Sequence, residues 1–330
     1  MTFRISVILF LLSIPLQGQN VVSTYETEKT DDQFIKWIGN MPDSHSSENI
    51  GFFEKIFNFV TGYEPVVLNN PVNVFATDKH NYIVANQGSG KVVQFKNDEL
   101  KILPVFKKES SDFPSLVSIC QLKDDNYLLT DSRLNKIYQF TSDGKNLRLL
   151  SAGLSLYRPT GIAFLREKDE IWVVETGSHR ISVLTGNGEL KRIIGKRGTG
   201  NLEFNFPTYI WIDPAGKIYI VDSMNFRVQV LSSAGEFITS FGKQGDATGS
   251  FARPRGIATD SKGNIYVVDA LFNNVQIFDL SGNLLYYFGS EGSGKYQFRM
   301  PSGIFIDRDD YIYISDSYNG RVQVFQLVKK

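Results

Sequence analysis

One cysteine, Cys120, stands in a chain of 330 residues. A lone thiol excludes an internal disulfide, a four-thiolate zinc site and a CxxCH haem attachment. Within "LVSICQL" it reads as a small core residue. Histidine is as scarce. His45, His80 and His179 form no zinc-like cluster, and no metal or cofactor is expected from them. Neither charge is in excess, with 35 Lys and Arg against 35 Asp and Glu. That argues against nucleic acid as the main partner, which needs a basic surplus or a basic face, though a local patch stays open. Beyond the first residues no apolar run is long enough to span a membrane as a helix. "GSEGSGK" has the outline of a phosphate loop, but Tyr296 replaces the Ser or Thr and no helix follows.

What the chain has is repetition. Pro207, Pro254 and Pro301 are each 47 residues apart. Going backwards, Pro159, Pro114 and Pro71 follow at spacings of 48, 45 and 43. Each proline opens a unit of four short apolar segments, here strands a to d. In the unit from Pro254 they are "RGIATD", "IYVVD", "VQIFD" and "LLYYFG", separated by turns such as "SKGN" and "LSGN". β-Branched and aromatic residues dominate them, and no unit has room for an ordinary helix. Four strands at a period near 45 describe a propeller blade, so the expected fold is all-β, a six-bladed β-propeller. Apolar residues at 42% supply the core. The sixth unit stops after strand c. "EPVVLNN", just before Pro71, is therefore expected to supply its strand d, with Val66–Leu68 beside Val322–Phe325, leaving no open seam.

These units resemble NHL repeats, most closely in "RPRGIATDSKGNIYVVD" and "SDSYNGRVQVF". The resemblance runs from about Tyr63 to Phe325. It implies a six-bladed propeller of exported bacterial type, but not one function. Units one and two depart most, with "PVNV" and "PSLV" where Pro-x-Gly-Ile is the family pattern.

Ahead of the ring, "MTFRISVILFLLSIPLQGQN" has Arg4, an apolar run from Ile5 to Leu12 and a break at Pro15, the pattern of a secretory signal peptide over residues 1–18. Residues 19–62 read as a polar linker and amphipathic lead-in, and 63–330 as the ring. "FIKWIG" could form a short strand. From Ser47 a helix is expected, with Phe53, Ile56, Phe57 and Val60 on one face, capping the ring or docking on a partner.

"VDSMNFRVQV" holds an acid, an amide and a base at Asp222, Asn225 and Arg227. Taken alone it suggests catalysis. Counted around the ring, the first position is Asn86, Asp131, Glu175, Asp222, Asp269 and Asp316, and five residues on stand Lys91, Lys136, Arg180, Arg227, Asn274 and Arg321. Near-copies in every blade point to a structural pair at the b–c loop rather than an active site.

Function is expected where the repeat varies, on the face that the b–c loops share with the long d–a loops. From the b–c loops come Asn86, Gln87, Arg133, His179, Met224, Phe226, Phe272, Asn274 and Tyr318. Near the prolines lie Tyr157, Arg158, Tyr209, Arg255 and Arg299. Aromatics, Arg and Met are enriched at recognition surfaces. The expected function is a non-catalytic, monomeric binding or scaffold propeller, secreted or periplasmic, taking a protein, peptide or glycan on this face. The alternative is a metal-dependent hydrolase or lyase acting in the central channel, gluconolactonase-like or amidating-lyase-like. Tripartite-motif ligases also carry NHL propellers, but their zinc-binding cysteines have no counterpart here.

Overall fold

The computed structural model describes residues 34–41, 66–96, 99–106, 113–123 and 125–328. The expected signal peptide and the helix expected from Ser47 lie outside them. Among the described residues no helix is long and apolar enough to cross a membrane. The rest forms six four-stranded antiparallel sheets arranged as a ring. Strand a of each sheet is innermost and strand d outermost.

The inner strands are Pro71–Asp78, Leu116–Gln121, Pro159–Leu165, Pro207–Ile212, Pro254–Thr259 and Ile304–Ile306. Their apolar residues face neighbouring blades. The buried core accordingly divides into six clusters, one at each seam between blades. Fully buried Val267 and Tyr266 of strand b in the fifth blade point to opposite seams, one toward the fourth blade and the other toward the sixth. Burial of one such side chain contributes roughly 1.5–3 kcal/mol.

Two expectations are corrected. The ring is closed by Ile35–Met41, which pairs antiparallel with Arg321–Leu327. The strand within "FIKWIG" thus does what was expected of Val66–Leu68, and the propeller begins inside the segment expected to be lead-in. Tyr296 fixes the choice: its hydroxyl receives the Trp37 N–H and donates to the Ile35 carbonyl. Trp37 also donates from its ring to Gln323. Residues 66–70 instead lead into the first blade, with Leu68 buried at the seam between blades six and one. The second correction concerns Pro114. Strand a of the second blade starts at Leu116, which stands opposite Asp131 as Pro71 stands opposite Asn86.

Candidate functional site

The repeated acid ends strand b and faces back toward the residues that lead into strand a of its own blade. In the fourth blade one buried Asp222 carboxylate receives the Asn205 N–H at 2.6 Å, Asn225 Nδ2 at 2.8 Å and Arg227 Nε at 2.9 Å. Three further N–H groups of Arg227 donate to the carbonyls of Thr199, Gly200 and Glu203. Gln229 also donates to Glu203. Acid, amide, base and glutamine together hold the incoming d–a loop. The sixth blade repeats the set with Asp316, Asn319, Arg321 and Gln323. In the third blade Glu175 pairs with Arg180 at 2.9 Å.

The set thins elsewhere. Asp131 accepts the N–H groups of Ser115, Arg133 and Leu134, while Lys136 makes no ion pair with it. Asp269 accepts four backbone N–H groups and faces Asn274, whose buried Oδ1 has no partner among the described residues. In the first blade Asn86 keeps the acceptor role toward Asn69 N–H and adds a bond from Nδ2 to the Val67 carbonyl. The residue after the acid stitches to the next blade: Gln87 donates to Leu116, Thr176 to Pro207 and Ser317 to Pro71.

This architecture separates the residues expected to bind into two groups. Asn86, His179 and Tyr209 are buried. His179 and Phe226 occupy the left-handed loop position filled by Gly90 and Gly320 in other blades. That backbone turns their side chains against the ring. His179 Nδ1 accepts the Phe206 N–H at 3.0 Å, and its ring sits edge-on to Phe206. Burial, followed by the charge of Arg197, lowers its pKa. Phe226 packs on the cluster around Phe241 and Phe251. Phe272 and Asn274 are half-buried.

The second group is open to solvent. Tyr318 is 71% exposed, Tyr157 56% and Met224 53%. Arg133, Arg158 and Arg299 are exposed beside them, and Arg255 is half-buried. The exposed Arg253, which the sequence reading passed over, joins them. It precedes Pro254 as Arg158 precedes Pro159, and that parallel was the available signal. Partial burial, then the nearby charge of Arg255, lowers the Arg253 pKa. None of these five arginines makes an ion pair with an acid among the described residues. A shallow depression of about 480 Å³ lies between Arg133, Asn135, Tyr157 and Arg158.

Behind this face the channel is blocked. Tyr209 crosses the ring from the fourth blade, and its hydroxyl donates to the Val72 carbonyl of the first blade at 3.2 Å. Inner strands also converge here. A Cβ on Gly256 or Gly303 would strike the backbone of the next blade. The other end of the channel is an open cavity of about 780 Å³. Its walls include Phe75, Cys120, Trp211 and Phe305, none singled out as a ligand contact from sequence. Phe75 and Trp211 stand four residues after the prolines of their units, where the third and fifth blades carry Ala163 and Ala258. Among the described residues no group of three His, Cys, Asp or Glu side chains could hold a metal ion.

Comparison with known proteins supports the architecture. The NHL repeat pattern matches residues 156–184 and 298–325, and a 6-bladed beta-propeller pattern matches residues 214–272. No curated protein matches the sequence. Among solved structures, an auxiliary nutrient binding protein from Bacteroides thetaiotaomicron is similar at TM-score 0.63 and 14% identity, over 78% of this chain and 69% of that one. Virginiamycin B lyase from Staphylococcus aureus is similar at TM-score 0.58 and 15% identity, over 80% of this chain and 99% of that one. At such identities the likeness shows the fold alone.

Proposed function

We propose that this chain, a six-bladed β-propeller of NHL repeats, is a binding module whose long-loop face takes an anionic protein, peptide or glycan. The observation that carries the reading is the set of guanidinium groups at Arg133, Arg158, Arg253, Arg255 and Arg299, which have no acid partner among the described residues, on a face edged by Tyr157, Met224 and Tyr318. The neighbouring acids Glu175, Asp222 and Asp316 are already neutralised by Arg180, Arg227 and Arg321. Asp131 and Asp269 have no ion-pair partner among the described residues, so these five arginines stand against two uncompensated acids. Guanidinium pairs in a fork with carboxylate, sulfate or phosphate, and flat Tyr rings add contact area at low entropic cost. The protein works outside the cytoplasm, in the periplasm or outside the cell, as the signal-peptide pattern of residues 1–18 suggests.

The blocked channel and the occupied ring of His179 favour binding over hydrolase or lyase chemistry on this face. The nutrient-binding proteins of similar fold lend the reading support by analogy.

The test uses a poly-glutamate peptide and heparin as probes, with affinity measured by calorimetry at several salt concentrations. Binding that weakens with salt and falls at least tenfold in the Arg133→Glu, Arg158→Glu, Arg299→Glu triple variant is expected. Affinity that ignores both salt and the substitutions refutes it.

A further inference from the structure

The open cavity lies at the far end of the channel from the proposed binding face. Three aromatic side chains from three blades meet along one wall. Phe75 and Phe305 have ring centroids 4.7 Å apart, and Trp211 meets Phe305 at 5.5 Å. Trp211 reaches across because the fifth blade offers only Ala258 and Thr259 there, and its ring N–H donates to Thr259 Oγ1 at 2.9 Å. All three rings are half-buried, which means that each keeps surface open to the cavity. The opposite wall comes from the second and third blades, with Cys120 and Phe164, both also half-buried. Tyr209 closes the bottom.

Charge is distributed unevenly along the depth. The polar side chains in the interior are uncharged, namely Asn73, Ser118 and Thr259. Arg166, Glu167 and Arg308 stand exposed at the mouth. Asp213, Asp260 and Asp307 at the rim already accept the hydroxyls of Tyr219, Tyr266 and Tyr313. A charged ligand would lose hydration inside with nothing to replace it, whereas an apolar ring would lose only cavity water. Volumes of roughly 300–1,000 Å³ are those of sites for small organic molecules.

We infer that this cavity is a second binding site, for a flat, uncharged ring compound that lies against Trp211 and Phe305 and faces Cys120. It shares no residue with the anionic site, so either can fail alone. The cavity is dead-ended, and its ligand enters and leaves by the mouth that Arg166 and Arg308 border.

N-Phenyl-1-naphthylamine, an uncharged aromatic dye, is the probe, titrated into the full chain. Its emission should rise with saturable energy transfer from tryptophan. Trp211 is the tryptophan in the cavity wall, so Trp211→Phe should weaken the dye and lower the transfer, with a remainder from Trp172 and Trp37. Cys120→Phe, which fills the cavity from the opposite wall, should weaken the dye at least tenfold. The Arg133, Arg158 and Arg299 variant of the other face should bind it unchanged. An independent measurement needs no variant. Cys120 is the only thiol, so its rate of reaction with methyl methanethiosulfonate reports the cavity directly. Saturating dye should slow that reaction at least tenfold. No saturable binding, a Cys120 rate indifferent to dye, or loss of dye with the long-loop variant would each overturn the assignment.

Discussion

Replacing Asp222 with Ala tests whether the repeated acid is a brace or a ligand group. The carboxylate is fully buried, and its partner Arg227 has only 14% of its side chain exposed. Asp222→Ala leaves the guanidinium with its three carbonyls but no counter-charge. It also strands the N–H of Asn205 and takes one of two bonds from the Asn225 amide, which keeps its bond to the Gly198 carbonyl. Breaking a buried pair from one side costs about 3–5 kcal/mol. The stranded donors are part of that cost and are not added to it. In a domain of this size the melting point should fall on the order of 10 °C. The first blade suggests a rescue, because Asn86 and Lys91 hold the same positions there without an ion pair. Asp222→Asn with Arg227→Lys should therefore recover part of the loss. Urea unfolding followed by tryptophan emission measures each variant. A change below about 1 kcal/mol for Asp222→Ala, at unchanged denaturant slope, would refute the brace. So would retained stability with loss of binding to the anionic probes.

Other outcomes follow from other parts of the ring. Glu170 is taken out of water, which raises its pKa, but Arg192 and Lys191 more than offset this and hold it near 2, against an ordinary 4.5. The stabilisation is present above pH 4.5 and is lost as pH falls toward 2, so the advantage of the natural chain over Glu170→Gln should shrink across that window in acid titrations of urea stability. Tyr209→Phe removes the bond to Val72 and keeps the plug, and should cost about 0.5–1.5 kcal/mol, read from the urea midpoint. A chain starting at residue 42 lacks the closing strand and bares the edge of Arg321–Leu327. It should oligomerise on size-exclusion chromatography, and a monomer of unchanged stability would count against the closure.

The blades were legible because each is made by local chemistry. A proline or its equivalent, an acid or its stand-in 15 or 16 residues on and a base or its stand-in five further recur in phase, and each blade completes most of its own hydrogen bonds. The closing strand was not legible. "FIKWIG" and "EPVVLNN" are both short apolar segments, and pairing with the far end of the chain leaves no local mark on either. Pro114 misled for the opposite reason: a strong local signal lay two residues out of register. Within the site, residue type did not reveal burial. Asn86 and Tyr209 looked like ligand contacts, but a blade lacking its acid needs the first, and a ring with glycines at its centre leaves room for the second. The cavity went unread because its aromatics come from blades far apart in sequence, and only the ring brings them together.

The closing pair also imposes an order on the making of the protein. Ile35–Met41 leaves the ribosome before any blade, yet its partner, Arg321–Leu327, belongs to the last. Contacts so distant in sequence form late and slowly. Five blades can each assemble as they emerge, but the early strand has to wait until the sixth exists. A chain halted before the sixth blade would carry a strand with nothing to pair with. Closure of the circle thus waits on the sixth blade, and only a chain that reaches Leu327 can cover both edges of that pair.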